Sequence, residues 1–148
     1  MHIATIGIDP GTKETAVISL DASGDILAGS RIIWEDFCTV PSHAAEILAV
    51  VDEYTSAHGT EAVHLEDVVP PVGQMGLIDP RPLLTLHRLV GFLQASRPDW
   101  RLVRPGGHGS QPLASYPAAL VGKTERKGTG KLRHLRSAYD VAHARPWH

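Results

Sequence analysis

Three carboxylates stand where a fold could use them. Asp9 closes the apolar run Ile6-Gly7-Ile8-Asp9 and is followed at once by Pro10-Gly11-Thr12. Glu66 closes a second run, Ala62-Val63-His64-Leu65-Glu66, and Asp140 lies within Ser137-Ala138-Tyr139-Asp140-Val141-Ala142-His143-Ala144. A strand fixes the backbone beneath its last residue, and a Pro-Gly turn keeps that carboxylate from being covered. Hard oxygen donors of this kind select Mg²⁺ or Mn²⁺ over Zn²⁺. Two such ions about 3.5–4 Å apart can activate a water and stabilise the leaving oxygen of a phosphodiester. Each acid also has a plainer use: Asp9 as a turn residue, Glu66 as a solvated strand end, Asp140 as an exposed helix residue.

The elements that position these residues are those of one domain. At 148 residues the chain has the usual length of a single core, so one domain over 1–148 is expected. No apolar run reaches the roughly 18–20 residues that span a bilayer, so no membrane partner is expected. Nor does a basic segment followed by an apolar one open the chain, so no secretory signal is expected. Cys38 is the only cysteine, which excludes an internal disulfide and suits a reducing cytoplasm.

Net charge is −2, but it is unevenly spread. Residues 101–148 carry nine Lys and Arg against Glu125 and Asp140, a balance of +7, and the remainder carries −9. Such asymmetry points to a polyanion partner at one surface, although a solvated basic helix and loop has the same composition.

Residues 2–9 and 14–20 read as strands, Asp21–Asp25 as a hairpin connection, and 26–34 as a third strand, giving an antiparallel meander. Ser42 reads as the N-cap of a helix that buries Ala45, Ile47, Leu48, Val51 and Tyr54 and ends before Gly59. Residues 62–66 form a short fourth strand and 67–79 a loop. A helix follows from about Pro82 to Ser96, then a fifth strand at 100–103. Beyond it lie a loop at 105–112, a short helix around 113–121 interrupted by Pro117, a basic Gly-rich loop at 122–130, and a last helix over 131–144. In that helix Leu132, Leu135, Ala138, Tyr139 and Ala142 make the apolar stripe, with Asp140, Arg133, Arg136 and His143 on the polar side. The order βββ-α-β-α-β-α predicts an α/β fold, a mixed five-stranded sheet of three antiparallel strands and then parallel crossovers, with helices on both faces.

This order resembles the ribonuclease-H-like fold, which implies that the first strand is central and the fourth lies beside it. The three acidic motifs, in order, resemble those of the RuvC Holliday-junction resolvases, closest in character to small phage-encoded members. The first motif alone also resembles sugar kinases and actin-like ATPases. The RuvC resemblance implies a cytoplasmic, homodimeric, Mg²⁺-dependent endonuclease, with Mn²⁺ as a possible substitute, that cuts branched DNA. Two ions would be held by Asp9, Glu66 and Asp140. The family places a further Asp or His three residues before the last acid. Ser137 occupies that slot here and is a poor ligand. His143 is the substitute on the neighbouring flank, whereas His134, about 120° round the helix from Asp140, is less suited. Lys123, Arg126, Lys127 and Lys131 match the family's basic loop in character, and Arg133 and Arg136 join them as expected DNA contacts. The helix near Leu83–Leu93 resembles the one that pairs across the dimer, with Leu83, Leu86, Val90 and Leu93 as its contacts, although the same stripe serves equally as core.

Two other functions fit parts of the pattern. A catalytically weak branched-DNA binder would explain Ser137. A nucleotide-binding ATPase would explain Asp9-Pro10-Gly11-Thr12, but it needs a second lobe for which 148 residues leave no room.

Overall fold

The computed structural model describes residues 4–69, 79–126 and 130–147. Its strands are β1 (Ala4–Asp9), β2 (Glu14–Leu20), β3 (Ile26–Ile33), β4 (Thr60–Glu66) and β5 (Arg101–Val103), and its helices are α1 (Val40–His58), α2 (Arg81–Ser96) and α3 (Arg133–His143). The sheet order is β3-β2-β1-β4-β5, with β1 central. β1–β2 and β2–β3 pair antiparallel, and β1–β4 and β4–β5 pair parallel. The expected mixed five-stranded sheet is therefore present, with helices on both faces.

Strand alternation decides what each face receives. Ile6 and Ile8 of β1, Val17 of β2, and Val63 and Leu65 of β4 point to one side, where α1 and α2 supply Ala44, Ile47, Val51, Leu89, Val90 and Leu93. The other side carries Ala16, Ile18 and Leu20 against Ala138 and Ala142 of α3 and against Tyr116 and Leu120. Gly7 lets α3 lie close on β1: a Cβ there would stand 2.1 Å from the Ala138 carbonyl oxygen. Asp9 shares parity with Gly7, and Glu66 with His64, whose Nδ1 lies 3.1 Å from the Val141 carbonyl oxygen of α3. Both acids thus end their strands on the face that α3 covers.

Three local expectations change. The N-cap of α1 is Thr39, not Ser42: its Oγ1 accepts the Ser42 N–H at 3.2 Å, and Pro41 occupies the first turn. The stretch 113–121 is two 3-10 turns, Leu113–Ser115 and Ala118–Leu120, each preceded by a proline whose extended ψ resets the chain. In α2, Val90 and Leu93 are buried in the core, so they do not face a partner, while Leu84 and Phe92 are the exposed large apolar residues of that helix. No helix among the described residues is long and apolar enough to cross a membrane.

Candidate active site

The parallel register of β1 and β4 runs Gly7–His64 and Ile8–Leu65, so Asp9 and Glu66 come one step later, at adjacent strand ends. Asp9 is only 6% exposed. Glu66 is hydrogen-bonded to it, and burial, together with the Asp9 charge and that bond, pushes the Glu66 carboxyl up to about 8. Burial and the Asp9 charge both oppose ionisation of Glu66, so Glu66 is the member of the pair that holds a proton.

Two histidines flank the pair. His134, in the first turn of α3, places Nδ1 2.9 Å from Asp9 Oδ2, and its Nε2 lies 3.4 Å from the Arg133 guanidinium. A donor at each contact assigns the proton of a neutral His134 to Nδ1, so the ring donates to Asp9. His108, in the loop after β5, stands 3.8 Å from Glu66 Oε2, and its Nε2–H donates to the Arg104 carbonyl at 2.9 Å. A cavity of about 190 Å³ opens over Asp9, lined also by His108, Gly109, Ser110, Arg133, His134 and Ser137.

The remaining expected residues fall elsewhere. Asp140 lies on α3 nearly two turns beyond His134, and its Oδ2 accepts the Gly109 N–H and the Tyr116 hydroxyl, both at 2.7 Å. His143 sits at the opposite end of the sheet, its ring against Gly24 and edge-on to Tyr139, and so cannot complete a shell around Asp9. The residues that α3 turns toward Asp9 are His134 and Ser137. Both line the cavity over Asp9. Among the described residues no group of three or more His, Cys, Asp or Glu side chains is placed to hold a metal ion.

Arg136 also changes role. It is fully buried, its guanidinium pairs with Glu125, and Nη1 donates to the Leu120 carbonyl at 3.0 Å, so it is no DNA contact. Glu125 in turn accepts the Leu132 N–H at 2.8 Å. Burial opposes its charge, but the Leu132 N–H and Arg136 outweigh burial and hold its carboxyl below the usual glutamate value. This clasp closes the basic loop onto α3. Lys123, Arg126, Lys131 and Arg133 are exposed around it. Lys127 lies outside the described residues.

Sequence comparisons return no matching family model and no matching curated protein. Solved structures do match. The Thermus thermophilus RuvC bound to a Holliday-junction substrate aligns over 95% of this chain and 90% of its own, with a TM-score of 0.62 at 16% identity. A second T. thermophilus RuvC structure aligns over 95% and 91%, with a TM-score of 0.58 at 17% identity. The chain has a RuvC-like fold. At these identities the RuvC likeness is one of architecture, and the chemistry rests on the residues of this chain.

The sequence pattern undervalued two residues. His134 was measured by its angle from Asp140 and not from Asp9, the residue it contacts. His108 carried a signal of its own, a single imidazole among Gly106, Gly107 and Gly109 directly after a strand that ends beside Glu66.

Proposed function

We propose that the chain is a divalent-cation-dependent endonuclease acting on four-way or otherwise branched DNA, and that it works as a homodimer. The observation that carries the reading is the Asp9–Glu66 pair at adjacent strand ends, with Asp9 buried and the Glu66 carboxyl pushed up by burial and the Asp9 charge, an arrangement whose ionised form a divalent cation would stabilise. The residues fit one such ion: Mg²⁺ is commonly held by one or two carboxylates, with water and substrate phosphate oxygens completing the shell. Asp9 and Glu66 would hold it, and Mn²⁺ would serve in the same place. When bound, the ion supplies positive charge to the scissile phosphate and lowers the pKa of a water.

The chain's own groups do the rest. His134 holds Asp9 in place through Nδ1–H, and Asp9 and Glu66 together would present carboxylate oxygens to the cation. Arg133, exposed at the rim, neutralises a flanking phosphate, as do the exposed Lys123, Arg126 and Lys131 of the basic loop and its end. The resemblance of the fold to a RuvC solved with a Holliday-junction substrate supports branched DNA as the substrate class.

With Mg²⁺ or Mn²⁺, purified protein is expected to cut a synthetic four-way junction in preference to linear duplex, and Asp9→Asn to abolish cutting. Undiminished cutting by that variant rejects the assignment. One observation favours a second reading, a junction binder with weak catalysis: Asp140 is engaged with Gly109 and Tyr116. Tight junction binding without cleavage across both metals would support that reading over the first.

A further inference from the structure

The loop between β5 and the first 3-10 turn is built with unusual care for a surface connection. Gly106, Gly107 and Gly109 have φ of 110°, 76° and 80°, a region that side chains with a Cβ rarely adopt. Gly109 also packs on α3, where a Cβ would stand 3.0 Å from the Arg133 carbonyl oxygen and 3.1 Å from the Ser137 nitrogen. At its near end the loop is tied by His108 Nε2–H to the Arg104 carbonyl. At its far end the Tyr116 oxygen accepts the Gln111 N–H at 3.1 Å and its proton goes to Asp140, which also receives the Gly109 N–H. Three hydrogen bonds thus converge on one Asp–Tyr pair, and Tyr116 is itself buried. Between the two ties, His108, Gly109 and Ser110 form a wall of the cavity over Asp9.

We propose that Asp140 is a positioning residue and not a cation ligand: with Tyr116 it latches the Gly106–Gln111 loop and sets His108 and Ser110 against the carboxylate pair. The consequence for cleavage rests on the nuclease reading, whereas the latch itself does not. A charge-assisted bond to a half-buried carboxylate is strong enough for its loss to open such a loop about tenfold or more.

The test compares Asp9→Asn, Asp140→Ala, Asp140→Asn and Tyr116→Phe with the parent in three measurements: Mn²⁺ affinity by calorimetry, amide hydrogen exchange at Gly109–Gln111, and single-turnover cleavage of a four-way junction. Asp140→Ala and Tyr116→Phe are expected to speed exchange in the loop about tenfold or more and to slow cleavage comparably, while Mn²⁺ affinity stays within about threefold of the parent. Asp140→Asn, which keeps an acceptor oxygen on the same stem, recovers part of the lost protection. Asp9→Asn loses Mn²⁺ affinity with loop exchange unchanged. The proposal is overturned if Asp140→Ala loses Mn²⁺ affinity as Asp9→Asn does, or if Tyr116→Phe leaves loop exchange at the parent rate. Should Asp140→Ala not fold, Tyr116→Phe, which retains the carboxylate, decides the matter. If the parent cuts no junction, the nuclease reading fails while exchange still judges the latch.

Discussion

Asp9 and Glu66 behave as one group. With no cation bound, Glu66 is protonated at neutral pH and its hydroxyl donates to Asp9, because burial and the neighbouring charge together oppose a second ionisation. Glu66→Gln replaces that hydroxyl with an amide N–H and keeps the donor. The variant is expected to match the parent in cation-free stability at pH 7 to within about 1 kcal/mol, yet to lose about tenfold or more in Mn²⁺ affinity. Urea denaturation and calorimetry on the same preparation check both halves, and a variant that binds Mn²⁺ as well as the parent removes Glu66 from the cation site. His134 answers to a different test. It donates to a carboxylate only 6% exposed, so His134→Ala leaves Asp9 short of a charge-assisted partner and is expected to cost about 1.5–3 kcal/mol of stability. His134→Asn, which can present an N–H from a shorter stem, should recover part of that loss.

What brings His134 to Asp9 is the closeness of α3 to β1, and one glycine permits it. A Cβ at Gly7 would meet the Ala138 carbonyl oxygen at 2.1 Å, backbone against which no side-chain rotation helps. Gly7→Ala is therefore expected to lift α3, destabilise the protein by about 1–3 kcal/mol or more, and weaken cation binding although no ligand is touched. An unchanged Mn²⁺ affinity in a folded Gly7→Ala protein would show that the site does not depend on this contact. The same helix shows where sequence reading stopped. Strands were legible from short Ile- and Val-rich runs that alternate weakly and end in an acid, so β1 and β4 could be placed from the residues, whereas their lying side by side came from the resemblance to the ribonuclease-H-like fold. A helical wheel for α3 assumes a single buried side, the sheet. In the structure Leu120 and Glu125 wrap a second flank, so Arg136, polar by pattern, is the largest fully buried side chain among the described residues. No local rule announces such a contact, because it depends on where a loop eleven residues earlier comes to rest. The expected helix at 113–121 failed for a reason the sequence did contain: Pro112 and Pro117 restart the backbone twice.

At the scale of the molecule, charge and protons make separable predictions. The exposed Lys123 and Lys131 belong to the +7 section, so each change to Ala should flatten the salt dependence of DNA binding by about 0.9 in the logarithmic slope. Arg136→Met should leave that slope alone and instead destabilise by about 3–5 kcal/mol, since it strands Glu125 without its buried partner. The pH dependence turns on which groups move and in which direction. His43 and His64 are held below the usual histidine value of 6.5, chiefly by burial, so their contributions are lost as pH falls below 6.5 and are complete above it. Arg31 holds Glu14 below 4.5, and the Leu132 N–H and Arg136 hold Glu125 there against burial, so both contributions are full above 4.5 and are lost only as pH falls below it. Glu66 runs the other way. Between 4.5 and about 8 the folded protein keeps a proton there that the unfolded chain has released, so its contribution is full below 4.5 and lost as pH rises to about 8. Among these groups Glu66 alone governs the interval from 6.5 to 8. The cation-free protein should lose stability across it, with a slope approaching about 1.4 kcal/mol per pH unit. Saturating Mg²⁺ displaces the proton and should abolish the slope, and the affinity for Mg²⁺ should rise by up to about tenfold per pH unit over the same interval. Urea titrations at pH 6.5, 7.25 and 8, with chelator and with Mg²⁺, measure both trends. A cation-free stability that stays level from 6.5 to 8 would mean that Glu66 is already ionised beside Asp9, and the assignment of a cation site to that pair would have to be abandoned.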